Sequence, residues 1–133
     1  LALVNGRAYN GGVVWAEEGA GDVEIVDSTI TDCEATQFGG VAFAEANSAV
    51  SIVETTITGV YARVDGGVVF ANFSRDIFMT RCTVLSCSAG GTGGVVAAFN
   101  SAVSLTRSNV TDCSAGWRGG AIFTKGSDLL TTD

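Results

Sequence analysis

Pairs of adjacent glycines recur along the chain at a nearly constant interval, and no other feature constrains the fold as strongly. The pairs are Gly11-Gly12, Gly39-Gly40, Gly66-Gly67, Gly93-Gly94 and Gly119-Gly120, with spacings of 28, 27, 27 and 26 residues. A fixed period of this size is typical of solenoids, in which one supersecondary unit is repeated and stacked. Such a unit cannot enclose a core alone, so its apolar face is expected to be buried against neighbouring units.

The residues between the glycine pairs also repeat, and they repeat with the period of β-strands. An apolar run follows each pair, then an alternating stretch such as Val50-Ser51-Ile52, then a Ser/Thr-rich stretch such as Thr55-Thr56-Ile57-Thr58. Apolar positions two residues apart indicate strands rather than helices. The sequence therefore predicts an all-β protein, a parallel β-helix of about five coils of 26–28 residues with three short strands per coil.

Aligned on the glycine pairs, the apolar positions form columns that are expected to be the core. Three inward ladders are predicted: Val23, Val50, Ile77, Val103 and Leu129; Ile25, Ile52, Met79 and Leu105; and Leu3, Ile30, Ile57, Val84 and Val110. A column of alanines is expected to form a tight inner corner: Ala8, Ala35, Ala62, Ala89 and Ala115. The chain has no proline, in keeping with strands that donate hydrogen bonds to the next coil.

Composition narrows the classes of function. Seven basic residues against 14 acidic ones give a net charge of −7, which argues against nucleic-acid partners, whose phosphates need Lys and Arg. No run of 18 or more apolar residues is present, so no membrane span is expected in this segment. The chain has no histidine, and its cysteine spacings match no zinc signature, so no cofactor or metal is expected.

The repeats resemble a known family. The segment from Ser28 to Val41, Ser-Thr-Ile-Thr-Asp-Cys-Glu-Ala followed by Gly-Gly-Val, resembles the repeats of polymorphic outer membrane proteins, which carry Gly-Gly-Ala-Ile and Phe-x-x-Asn elements. Gly119-Gly120-Ala121-Ile122 matches the first element fully, and Cys stands in the Asn place of the second, as in Val84-x-x-Cys87. The resemblance covers essentially the whole chain. It implies a right-handed parallel β-helix of a surface protein, a fold that also hosts pectate lyase-like enzymes.

The strand after each glycine pair is apolar on both faces, and only one face can point inward. The small residues at Ala16, Ala44, Ala71 and Ala98 suit a corner, which would place Trp15, Phe43, Phe70 and Phe123 outside. An exposed aromatic ladder would be a partner-binding surface. The alternative is the reversed orientation, in which the aromatic rings fill the core.

The Ser/Thr-rich strand is expected to present two stacked Thr-x-Thr rows. Thr29, Thr31, Thr56 and Thr58 form them, and they resemble the ice-binding faces of insect antifreeze solenoids. The next rows, Thr83-x-Leu85 and Asn109-x-Thr111, depart from that pattern. Ordinary preference of threonine for strands explains the same residues.

One charged column is the only arrangement that suggests catalysis. It consists of Asp27, Glu54, Arg81, Arg107 and Asp133. Carboxylates one rung apart have a separation close to that in retaining glycosidases, about 5 Å. A solvent-facing ladder with a Glu54–Arg81 ion pair explains the same residues, and the clustered acids and base of a lyase are lacking. We therefore expect no enzymatic activity.

The cysteines and the glycosylation sequons bear on the compartment. Cys87 and Cys113 are predicted to be adjacent rungs, so a disulfide between them is an alternative to buried thiols. Asn72-Phe73-Ser74 and Asn109-Val110-Thr111 are N-glycosylation sequons, and both asparagines are expected to be accessible.

Together these features predict a structural or adhesive module outside the cell or at its surface. Residues 1–133 begin and end at nearly the same phase of the repeat, so we expect a single β-helix segment of a longer solenoid. Its expected partners are like chains or other subunits of an extracellular assembly, together with glycans. The alternatives are an ice- or carbohydrate-binding solenoid and a pectate lyase-like polysaccharide-active enzyme.

Overall fold

A computed structural model describes residues 2–4, 6–17, 22–126 and 129–132. Within those ranges the secondary structure consists of strands and turns without a helix. The strands form four parallel sheets of five strands each, which we number I to IV in the order in which the chain visits them. From the first to the fifth strand of sheet I the chain makes four turns, so the fold is a parallel β-solenoid of about four turns.

Every turn contributes one strand to each sheet. Sheet I contains β1 (Ala2–Val4), β5 (Thr29–Thr31), β9 (Thr56–Thr58), β13 (Thr83–Leu85) and β17 (Asn109–Thr111). Sheet II contains β2 (Arg7–Asn10), β6 (Glu34–Phe38), β10 (Tyr61–Ala62), β14 (Ser88–Ala89) and β18 (Ser114–Ala115). Sheet III contains β3 (Val14–Ala16), β7 (Ala42–Glu45), β11 (Val69–Asn72), β15 (Val96–Phe99) and β19 (Ile122–Lys125). Sheet IV contains β4 (Val23–Val26), β8 (Val50–Val53), β12 (Ile77–Thr80), β16 (Val103–Thr106) and β20 (Leu129–Thr132).

The prediction of three strands per coil was wrong, because the segment between the Ser/Thr-rich stretch and the next glycine pair makes a fourth strand, that of sheet II. A residue with positive φ separates sheet I from the short strands of sheet II; these residues are Asp32, Gly59, Ser86 and Asp112. The chain turns there, and the alanine column continues in the strands of sheet II, with Ala62 paired to Ala35 and to Ala89. The period of two was visible in the sequence, but a one-residue corner between two short strands was not.

The predicted core ladders are confirmed in the middle turns. Val50, Ile52 and Ile57 have no exposed surface, and neither do Ile77, Met79 and Val84. In the last described turn the same columns are less covered: Val110 is half-buried, and Leu129 was expected inside but is 49% exposed. Among the described residues, Leu129 pairs with Val103 of the preceding turn and with no residue of a following one. The side chain of Leu3 lies outside the described residues.

The glycine pairs form the corner between sheets II and III, and at Gly39-Gly40 both members are required. Gly39 has a φ of 63°, in the left-handed region that favours glycine. A Cβ on Gly40 would collide with the carbonyl oxygen of Gly67 in the next turn. The first glycine therefore makes the bend, and the second lets neighbouring turns approach to hydrogen-bonding distance, as in the Gly40 N–H donation to the Gly67 oxygen at 3.0 Å.

Candidate functional site

The outer face of sheet III carries the predicted aromatic column. Ala42, Ala44 and Val69 point into the main core, whereas Phe43 and Phe70 belong to a separate apolar cluster. Of the two orientations that the sequence left open, the structure therefore has the one that places the aromatic column outside the main core. Phe43 and Phe70 are in parallel register, with ring centroids 5.4 Å apart and planes inclined by only 8°. They form a stacked pair outside the main core.

The exposure expected for this ladder was wrong for two of its four members. Phe43 is 7% exposed and Phe70 is 8% exposed. Phe38, at the end of β6, covers them, with its ring centroid 4.4 Å from that of Phe70 and 6.2 Å from that of Phe43. Phe99 packs 5.6 Å from Phe70 on the other side. The rings thus bury one another in a satellite core, which leaves no continuous aromatic surface for a partner.

The ends of the ladder remain accessible. Trp15 is 57% exposed and meets Phe43 edge to face at 6.3 Å. Phe123 is half-buried, with Phe99 5.7 Å away. Between Phe70 and Phe123 the column holds Ala97, which contributes no ring. The ladder is interrupted at this level.

A cavity of about 640 Å³ lies beside the interruption. Its apolar walls include Phe99, Phe123 and Trp117, and its polar groups include Asp65, Arg118 and Lys125. Pockets of about 300–1,000 Å³ that combine apolar walls with a few polar groups are the usual form of small-molecule sites. The cavity is therefore a candidate binding site.

The polar side of the cavity is held in place by contacts between turns. The Oδ1 of Asp65 accepts hydrogen bonds from the backbone N–H of Thr92 at 2.6 Å and from its hydroxyl at 2.8 Å. The Arg118 guanidinium lies 5.0 Å from the centre of the Trp117 ring, within the range of a cation–π contact. Trp117 is itself 75% exposed.

Sequence reasoning missed this site, although the repeat contained a signal for it. Phe38, Asp65, Thr92 and Arg118 each stand immediately before a glycine pair. Phe38 pairs with Asp65, and Thr92 with Arg118, so the four residues form a column beside sheet III. In the alignment on the glycine pairs, this column changes from aromatic to polar and charged.

The threonine rows are in register on the outer face of sheet I. Thr29 pairs with Thr56, and Thr31 pairs with Thr58. Thr29 and Thr56 are exposed, whereas Thr31 and Thr58 are half-buried. The face of sheet I consists of two parallel columns: Ala2, Thr29, Thr56, Thr83 and Asn109; and Thr31, Thr58, Leu85 and Thr111. Neither column contains a charged residue.

The charged column forms an ion-pair ridge between sheets IV and I. The Nε of Arg81 donates a 2.7 Å hydrogen bond to Oε1 of Glu54, and both side chains are close to half-exposed. Two hydrogen bonds hold the pKa of Glu54 below its usual value of 4.5. The one from Arg81 has the larger effect, and the one with Asp27 has the smaller. A carboxyl with a lowered pKa is a poor general acid at neutral pH, because it has already lost its proton. Asp133 lies outside the described residues.

The backbone at this ridge accounts for the column. Asp27, Glu54, Arg81 and Arg107 all have φ between 48° and 52° and make the corner from sheet IV to sheet I. The residue after each one turns inward and hydrogen-bonds to the carbonyl two positions earlier, as in Ser28 to Val26 at 2.8 Å. Thr55, Cys82 and Ser108 make the same bond. These small polar residues stabilise corners.

The four cysteines also lie at corners, and each thiol hydrogen-bonds to the carbonyl two positions earlier in the chain. All four are free thiols in the structure, so the alternative of a Cys87–Cys113 disulfide is not formed in it. The Sγ of Cys113 instead accepts a hydrogen bond from the backbone N–H of Cys87 at 3.4 Å, while the Cys87 thiol donates to the Leu85 carbonyl at 3.4 Å. Burial raises the pKa of Cys87 to about 12 and also raises that of Cys82. Neither thiol is suited to act as a nucleophile.

The two sequons differ in accessibility. Asn109 is exposed at the start of β17, on the face of sheet I. Asn72 is half-buried at the end of β11, and the Ser74 side chain of the same sequon is buried. A glycan on Asn109 would stand beside Thr83 and limit contact with that end of the threonine face.

Comparison with known proteins adds no further assignment. The chain matches no protein-family model, no curated protein and no solved structure. Among the described residues, no group of three or more His, Cys, Asp or Glu side chains is placed to hold a metal ion. The same residues contain no helix of the length and apolarity needed to cross a membrane.

Proposed function

We propose that the chain is a non-enzymatic structural or adhesive module of an extracellular, right-handed β-helix with about five coils. It acts by packing the flat face of sheet I against a like chain or another subunit of a larger assembly. The resemblance of the repeats to those of surface β-helix proteins supports the location and the handedness.

The observation that carries this proposal is the charge-free face of sheet I. Although the chain contains 21 charged residues, none stands in either outward column of that sheet. Depletion of charge is the compositional mark of the centre of a protein interface. The in-register rows of β-branched side chains also make the surface regular, and a regular surface can be matched by a second copy of itself.

The burial of Phe43 and Phe70 moves the proposed interface away from sheet III. Their rings already bury one another, so little apolar area remains there for a partner. Trp15 and Phe123 remain as accessible ends of that ladder, and they support at most a secondary contact.

Electron microscopy and a matched pair of variants test the proposal. Material isolated from its source, viewed in negative stain, should contain fibres or larger ordered assemblies. Thr56→Lys places a charge on sheet I and should shift the particles to single rods in sedimentation velocity. Thr36→Lys adds the same charge to an exposed position of sheet II and should leave assembly unchanged. Rods alone in the source material, or equal effects of the two variants, would overturn the proposal.

Ice binding is a second candidate, supported by the register of Thr29 with Thr56 and of Thr31 with Thr58. It uses the same face and predicts thermal hysteresis that Thr56→Lys abolishes and Thr36→Lys preserves. The rows that contain Leu85 and Asn109 interrupt the threonine array, so the packing function is favoured.

The pectate lyase-like alternative has a direct assay. It predicts cleavage of a uronate polymer that is lost in Glu54→Ala. The ion pair of Glu54 with Arg81 supports a structural role for both residues, and we expect no cleavage by either protein.

A further inference from the structure

The cavity beside Ala97 is built by three successive turns of the solenoid. Asp65 comes from one turn, Thr92 and Phe99 from the next, and Trp117 and Phe123 from the last of the three. Phe99 and Phe123 lie 5.7 Å apart between ring centroids and form part of the apolar wall. Ala97 is fully buried and supplies no ring to this wall. Phe38 packs on Phe43 and Phe70, at the preceding levels of the ladder.

The charges at the cavity are distributed differently from those of the whole chain. The chain carries 14 acidic and seven basic residues, yet two of the seven, Arg118 and Lys125, line this one cavity together with a single acid, Asp65. Oδ1 of Asp65 is bonded to the N–H and hydroxyl of Thr92, so that oxygen is already used in holding two turns together. A small cationic site therefore lies on an acidic protein.

We propose that this cavity binds an acidic saccharide, with a sugar ring against the aromatic wall and its carboxylate at Arg118 and Lys125. The C–H face of a pyranose is apolar and flat, so it packs on rings such as Trp117, Phe99 and Phe123. Trp117 is 75% exposed, with the Arg118 guanidinium 5.0 Å from the centre of its ring. The guanidinium held beside its ring can bond a carboxylate with two parallel hydrogen bonds.

The volume and the charge favour a sugar acid over a plain hydrophobe. A volume of about 640 Å³ is enough for more than one ring. A purely apolar guest would remove water from three charged side chains on the wall without replacing their hydrogen bonds, which costs free energy. The cavity lies on sheet III and its flanking segment rather than on sheet I. The inference is therefore independent of the proposed packing function, and either can fail alone.

Binding is tested with a trimer of galacturonate as the probe and the neutral galactose trimer as its matched control. The chain has two tryptophans, so Trp15→Phe leaves Trp117 as the single fluorescent reporter. We expect a saturable change in Trp117 emission with the acidic trimer and at least tenfold weaker binding of the neutral one. Added salt should weaken binding of the acidic trimer, because the charges that contact it are exposed to solvent and are screened by ions.

Calorimetry on surface variants assigns the contacts. Arg118→Gln should weaken binding about tenfold, in line with the loss of a charged hydrogen bond. Trp117→Ala should also weaken it about tenfold by removing the stacking surface. Arg107→Gln, an exposed arginine at the corner between sheets IV and I, is the matched control and should not change the affinity.

Three results would overturn the inference. They are the lack of saturable binding of galacturonate trimer up to about 10 mM, equal binding of the neutral trimer, and equal effects of Arg118→Gln and Arg107→Gln. Thr56→Lys distinguishes the two proposals, because it should disrupt assembly while leaving saccharide affinity intact.

Discussion

At Gly40 a single hydrogen atom in place of a side chain allows two turns of the solenoid to meet. A Cβ there would collide with the carbonyl oxygen of Gly67 and with the Val60 side chain. At Gly120, the equivalent position in the last described turn, a Cβ would meet only the Cys113 oxygen at 3.9 Å, an ordinary contact. Gly40 and Gly120 thus share a place in the repeat and differ in what covers them.

Alanine substitutions at these two positions should separate crowding from the intrinsic effect of the residue. We expect Gly40→Ala to lower the free energy of unfolding by about 1–3 kcal/mol, as overpacking does. Gly120→Ala should change it by less than about 0.5 kcal/mol. Urea denaturation followed by circular dichroism measures both, and equal losses would contradict the contact with Gly67 as the cause.

Thiol labelling tests the burial of the cysteines. At pH 8 the native protein should react with iodoacetamide first at half-buried Cys113, with Cys82 and Cys87 protected, because burial raises the pKa of both. In urea, all four thiols should react. Peptide mass spectrometry identifies the modified residues, and fast labelling of Cys87 in the folded protein would refute its placement in the core.

At the scale of elements, the corners explain more of the sequence than the strands do. Each corner uses a residue with positive φ, and in three of the four corners a small polar or apolar residue then points inward. In the corner from sheet III to sheet IV, Phe73 has a φ of 51° and is 63% exposed, whereas Asn100 and Gly126 occupy the equivalent positions in later turns. A bulky residue in this conformation costs free energy that Asn or Gly avoids.

Phe73→Asn should therefore stabilise the solenoid. We expect a gain of about 0.5–1 kcal/mol in the free energy of unfolding, since asparagine tolerates the left-handed region better. Asn100→Phe, the reverse change at the same corner, should lose a similar amount. Thermal unfolding by calorimetry compares them, and destabilisation by Phe73→Asn would show that the exposed ring makes a packing contact that outweighs the strain.

At the scale of the whole molecule, stability accumulates from contacts between neighbouring turns. Val84 and Val110 occupy one column in adjacent turns, and Val84 has no exposed surface while Val110 is half-buried. Val84→Ala should cost about 2 kcal/mol from lost burial and the cavity left behind. Val110→Ala should cost less than half as much. Chemical denaturation measures both losses, and similar values would contradict the unequal covering of the two turns.

Most of the fold could be predicted from residue types that indicate, position by position, whether a side chain is buried or the backbone bends. Val50, Ile52 and Ile57 alternate with polar neighbours, and the glycine pairs mark where the backbone bends and where turns touch. These signals are local, and each one recurs at the same place in every repeat. The residues predicted to point inward are therefore buried in the central turns. The boundary between sheets I and II was missed because one left-handed residue such as Asp32 or Ser86 is enough to make a corner.

The candidate site depends on contacts that no local pattern contains. The alanines at positions 44 and 71 favoured the orientation in which Phe43 and Phe70 point outward, but they left the reversed orientation open. Their burial depends on two other side chains. Phe38, from sheet II, and Phe99, from the next strand of sheet III, both pack against Phe70. The periodicity of the sequence therefore determines the solenoid, because equivalent residues of successive turns pack against one another in the same way. The buried aromatic cluster and the open cavity arise only in three dimensions, because they depend on how unlike side chains from different turns cover one another.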